Sequence, residues 1–109
     1  MGLLDDNVME AALARIAKTD ELVAELHVKS LQAEARAEAV KDAIFLLLTG
    51  SVEERKAQAR QSLEYGQAMD EYYAALQAYE ALRNERTRKF AVIECWRSWS
   101  SARTKGIIT

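Results

Sequence analysis

Proline is absent from this chain, and glycine occurs only at positions 2, 50, 66 and 106. These two residues are the usual interrupters of helices, so almost nothing here stops one. Cys95 is the single cysteine, which excludes an intrachain disulfide and fits a reducing cytoplasm. His27 is the single histidine, and neither it nor Cys95 has partners at metal-ligand spacing or an activating neighbour, so no metal site, nucleophile or catalytic constellation is expected. A Gly-rich phosphate loop is missing, and no cofactor is expected. The longest apolar run, Ala43 to Leu48, is far too short to cross a bilayer. Met1-Gly2-Leu3-Leu4 is followed at once by Asp5-Asp6, which reads neither as a secretory signal nor as a myristoylation site. These absences point to a non-enzymatic protein with no membrane segment.

What is present is helix-forming. Half of the 109 residues are hydrophobic, but many of them are alanine. Such a composition reads as long helix or coiled coil. Charge is unevenly spread: residues 1–82 carry 8 basic and 15 acidic side chains, and residues 83–109 carry 7 basic and 2 acidic ones. An acidic body with a basic tail follows from that asymmetry.

The clearest punctuation is Thr49-Gly50-Ser51-Val52-Glu53-Glu54. Glycine commonly sits just past a helix end, and S-x-x-E is a capping box that starts the next helix. On the first side, Met9, Ala12, Ile16, Thr19, Val23, Leu26, Ser30, Ala33, Ala37, Val40, Ile44 and Leu47 recur at steps of three and four, forming one seam. On the second side, Tyr65, Ala68, Met69, Tyr72, Ala75, Leu76, Tyr79 and Leu82 do the same. The pattern predicts one all-α domain over 1–109, a long antiparallel, coiled-coil-like helical hairpin. Its first helix spans about 5–48, its hinge 49–51 and its second helix about 52–104. Thr19-Asp20-Glu21 is also a possible cap, which leaves a break near residues 18–20 open.

Folding the chain back about Gly50 pairs positions whose numbers sum to about 100. The tyrosines near 65–72 then face the small stripe Ser30–Ala37, large against small, as close packing requires. Trp96 falls beside Leu4 and Val8. Arg86 and Lys89 fall on positions that continue the second seam, so they must meet water, acids or a polyanion rather than a dry core. The apolar end formed by Ile44, Phe45, Leu46, Leu47 and Leu48 needs burial from several sides. A hairpin this thin has a poor surface-to-volume ratio, so a homo-oligomer meeting at this end is expected.

One stretch stands above background. Arg83, Arg86, Arg88, Lys89, Arg97, Arg103 and Lys105 are interleaved with Phe90, Trp96 and Trp99. Cations neutralise phosphates and aromatic faces stack on unpaired bases, so these cations, with Trp99 as the stacking residue, are candidate single-stranded DNA contacts. Phe90, Ile93 and Trp96 read instead as core. Arg88 and Lys89 also suit the acidic half of a neighbouring subunit.

The segment Ala91-Val92-Ile93-Glu94-Cys95-Trp96-Arg97-Ser98-Trp99-Ser100-Ser101-Ala102-Arg103-Thr104-Lys105-Gly106-Ile107 resembles the ending of phage recombination mediators of the UvsY type. Leu31 to Leu48 is similar to that family's alanine- and charge-rich helix before a glycine-containing loop, and Glu71-Tyr72-Tyr73 to Asn84 to its second helix. The order of elements covers most of residues 25–108. The resemblance implies a ring-shaped homo-oligomer that loads a recombinase onto single-stranded DNA coated by its binding protein. The chain departs from the family before the hinge: where the mediators carry a basic cluster, Ala39 to Phe45 offers only Lys41. DNA contact would then come from Lys41, from Arg55, Lys56 and Arg60, or from the C-terminal cluster. The alternative is a coiled-coil adaptor or an inhibitor of a host complex, with the basic cluster on an acidic protein surface.

Overall fold

The computed structural model describes residues 5–106. Among them are three helices and no strand: α1 (Asp6–Leu47), α2 (Val52–Arg60) and α3 (Leu63–Thr104). The fold is the all-α helical hairpin that the seams predict. No helix among the described residues is long and apolar enough to cross a membrane.

The hinge forms as its residues dictate. Gly50 has φ +115°, a conformation that side-chain-bearing residues rarely adopt. Ser51 is the N-cap of α2, and its Oγ accepts a hydrogen bond from the Glu54 backbone N–H at 3.1 Å. A Cβ built on Gly50 would lie 2.8 Å from Glu54 Oε2, a mobile carboxylate end, so the dihedral is the larger penalty. Gly50→Ala is expected to destabilise the protein by about 1–2 kcal/mol in urea denaturation followed by circular dichroism.

One expected boundary changes and one left open is decided. The second helix is not continuous over about 52–104: it breaks at Gln61 and Ser62. The Ser62 hydroxyl donates to the Ala59 carbonyl at 2.7 Å and accepts from the Tyr65 N–H at 3.2 Å, so it ends α2 and caps α3 at once. In contrast, α1 has no break near 18–20. Thr19 does not cap a helix there; its hydroxyl donates back to the Arg15 carbonyl at 2.7 Å within an unbroken α1.

The chain divides into two compact units, with the boundary inside both long helices. The terminal unit joins the chain up to Val23 with the chain from Ala81 onward. Its segments run antiparallel, since Asp6 meets Trp96 and Arg15 meets Glu85. Ala12, Thr19, Leu82 and Ile93 are buried there. The hinge unit spans Ala24–Glu80. In it Tyr79 stacks on His27, with ring centroids 4.6 Å apart, and the Tyr72 hydroxyl hydrogen-bonds the Glu34 carboxylate. That bond, with burial, raises the Tyr72 pKa above the usual phenol value. Tyrosines therefore run beside the stretch holding Ser30, Ala33 and Ala37, all at most 3% exposed. The pairing is offset a few residues from the simple counting rule: Tyr72 lies opposite Glu34, within the stretch Ser30–Ala37, whereas Tyr65 lies beside Lys41, beyond it.

The first seam is buried or half-buried along its length except at Leu47, which is 84% exposed where α1 ends. The chain turns there, and Leu48, half-buried, takes the inward place.

Candidate nucleic-acid interface

The basic stretch of α3 begins in the seam. Arg86 Nη1 donates to the Ile16 carbonyl at 2.8 Å and to Thr19 Oγ1 at 2.7 Å, while Nη2 meets Asp20 Oδ1 at 2.5 Å. Its side chain keeps only 13% of its exposure. A guanidinium in this position satisfies one helix's carbonyl, hydroxyl and carboxylate through its planar fork of donors. Arg86 is thus an internal tie and not a phosphate contact, which corrects its assignment as a DNA-binding residue. The signal was legible in part: its seam position demanded an acid or water, and Thr19-Asp20 is the pair it found.

Beside it, Arg15 Nε and Nη2 donate to Glu85 Oε2 and Oε1 at 2.6 and 3.1 Å, a two-pronged ion pair. The hydrogen bond from Arg15, with its charge, holds the Glu85 carboxyl below the usual carboxylate range; the same contact raises the Arg15 pKa. Lys89 and Arg88 lower Glu85 further through their charge. Lys89 is half-buried and Arg88 exposed. No residue-type signal marks Arg15 and Glu85, but folding the chain back about Gly50 does oppose them.

The remaining candidates divide among faces of α3. Arg83, Phe90 and Arg97 recur every seven residues along one flank of the seam, and all three are exposed. Phe90, read as core, is 50% exposed, and the Arg86 guanidinium lies 5.8 Å from its ring. The other two core assignments fit: Ile93 is 4% exposed, and half-buried Trp96 is pinned by its indole N–H donating to Asp6 Oδ1 at 2.8 Å. Val8 is 36% exposed, and Leu4 lies outside the described residues. Arg88 shares its spacing with exposed Cys95 on the side turned away from the seam.

The last turns gather more closely. An open groove on the α3 surface is lined by Arg97, Ser98, Ser101, Ala102 and Lys105. Steps of four put Arg97, Ser101 and Lys105 in one row, and small side chains keep the groove floor low. Arg97 Nη1 reaches Glu94 Oε1 at 2.8 Å, an exposed pair within one turn that costs little to exchange for another anion. One flank over, Trp99 is half-buried and carries the exposed Arg103 guanidinium 4.4 Å above its ring, a cation–π contact. The groove therefore offers two cations and two hydroxyls, next to an aromatic face already in use as a stacking platform.

At the hinge, the five residues expected to form an oligomer interface divide in two. Ile44, Phe45 and Leu48 are half-buried within the hinge unit, whereas Leu46 and Leu47 are 76% and 84% exposed. Among the described residues no cluster of His, Cys, Asp and Glu side chains could hold a metal ion. In comparisons with known proteins, no protein family matches the chain, and neither a curated protein nor a solved structure does.

Proposed function

We propose that this is a non-enzymatic accessory protein of phage recombination or replication that binds single-stranded DNA through the end of α3 and assists recombinase loading. The observation that carries the DNA contact is the groove at residues 97–105, where Arg97 and Lys105 share a row beside the Trp99–Arg103 stack. Phosphates would lie along the row, with Ser98 and Ser101 as hydroxyl donors, and a base would replace Arg103 on the indole. Arg83, Arg88 and Lys89 supply a further positive field, with Arg86 removed from the set. The recombinase-loading role, and a recombinase or single-strand-binding protein as partner, rest on the family resemblance of residues 91–107.

The test is titration of labelled single- and double-stranded oligonucleotides at low and moderate salt, read by fluorescence anisotropy. Single-strand preference is expected, with affinity falling steeply as salt rises. Arg97→Ala with Lys105→Ala should flatten the logarithmic salt slope by roughly 1–1.5. Absence of binding at low salt removes the proposal.

A second reading is favoured by the exposure of Leu46 and Leu47. Two adjacent leucines this open at the end of a helix are a protein-binding feature, and the proposed homo-oligomer meets there. The same leucines would serve an adaptor or inhibitor that docks on another protein.

A further inference from the structure

The hinge unit holds a cleft that the C-terminal groove does not involve. It encloses about 200 Å³ between α1 and α2 and is lined by Lys41, Asp42 and Phe45 from the first and Lys56, Ala59 and Arg60 from the second. Ala59 is fully buried and forms the floor. Three cations face one carboxylate across this small space.

The cations are unevenly satisfied. Lys41 Nζ is 2.9 Å from Glu38 Oε2, and that bond raises its pKa above the usual lysine value. Lys56 and Arg60 have no ion-pair or hydrogen-bond partner among the described residues. They stand four residues apart on a nine-residue helix, where like charges repel across one turn. Arg55, between them and the hinge, stacks its guanidinium 4.3 Å over the Phe45 ring and leaves its Nε buried without a partner. Four positive side chains thus converge on the stretch from Lys41 to Arg60, and among the described residues three of them, Arg55, Lys56 and Arg60, have no carboxylate partner.

We propose that this cleft binds a compact polyphosphate group, held by Lys56 and Arg60 from α2 and by Lys41 from α1. The chemistry follows from the lining. A phosphate chain has several acceptor oxygens on a small volume, which matches three donors set around a low floor. The space is below that of ordinary organic-ligand pockets, so the phosphates fit and a whole nucleotide does not. The same chemistry could reach the site as free polyphosphate or as the phosphates of a nucleoside triphosphate, whose remainder would lie outside the cleft.

Isothermal titration calorimetry of the full chain with inorganic tripolyphosphate at low salt tests this, with a nucleoside triphosphate as the second arm. Saturable binding with one site per chain is expected. Lys56→Ala with Arg60→Ala should weaken it at least about tenfold, since each removes a charge-assisted contact. Arg97→Ala with Lys105→Ala should leave it unchanged, which separates this site from the C-terminal groove. Lys41→Met, which leaves α2 untouched, should weaken it several-fold and serves if the α2 variant loses helicity. Equal affinity for the two ligands places the contact in the phosphates alone; much tighter nucleotide binding overturns the compact site. No binding of tripolyphosphate, or equal binding by the variants, overturns the proposal.

Discussion

Replacing Arg86 with alanine is expected to destabilise the terminal unit by about 2–3 kcal/mol, more than any other exposed-to-solvent or seam charge in α3. The guanidinium is the partner of Ile16, Thr19 and Asp20 together, and its side chain is 13% exposed. The figure sits below that of a fully buried ion pair because Asp20 is 63% exposed and will find water. The melting midpoint should fall by roughly 10 °C. Arg86→Met separates the causes. Methionine refills the volume, Thr19 keeps its bond to the Arg15 carbonyl, and the expected loss drops below about 1 kcal/mol. Arg86→Met, with so small an expected loss, also decides the residue's role. The variant's single-strand affinity and salt slope should match the parent protein. A reduced slope in Arg86→Met would return Arg86 to the phosphate contacts.

Arg86 shows what in this chain was legible before the structure and what was not. The twelve-position seam of α1 is a pattern of residue type and spacing, and it carries through except at its last member. Leu47 was assigned inward because periodicity does not know where a helix stops; the turn at Gly50 ends the seam one residue too early for it. The break at Ser62 was missed for a related reason. A serine N-cap lacks weight beside a strong S-x-x-E box opened eleven residues earlier by Ser51, and the nearby glycine, Gly66, falls inside α3 rather than at the break. Thr19-Asp20 was ambiguous because the same two side chains can cap a helix or receive an arginine from another helix. Only the packing of α3 against α1, which brings residue 86 to residues 16–20, chooses between them. The candidate interface was legible as composition but not as a surface. The eight residues named for DNA contact lie on several faces of α3, and only 97–105 supplies a row, because the row depends on which side of the helix packs.

The largest expected effect outside the terminal unit concerns the leucine pair at the hinge. Leu46→Glu with Leu47→Glu is expected to lower the measured mass of the protein to that of the single chain, with helicity retained. The two side chains are 76% and 84% exposed in one chain, so burying them against another copy is the gain available to an oligomer. Full burial of a leucine is worth about 1.5–3 kcal/mol, and placing two carboxylates in the same contact reverses the sign. Self-association should weaken by more than about a hundredfold. The glutamates also stand in the last turn of α1, where negative charge opposes the helix dipole and frays the end by about 0.3–1 kcal/mol. Leu46→Lys with Leu47→Lys removes that objection, since cations suit a helix C-terminus. It should break the assembly equally while leaving the last turn intact. Leu48→Glu is the contrasting case: Leu48 is half-buried inside the hinge unit, so its substitution should cost stability rather than association. Sedimentation velocity across a concentration series, with circular dichroism in parallel, distinguishes the three. If the lysine pair leaves the mass of an oligomeric parent unchanged, the copies do not meet at the hinge. If the parent itself sediments as a single chain at every concentration, the leucines are left to a different protein, and the adaptor reading takes precedence.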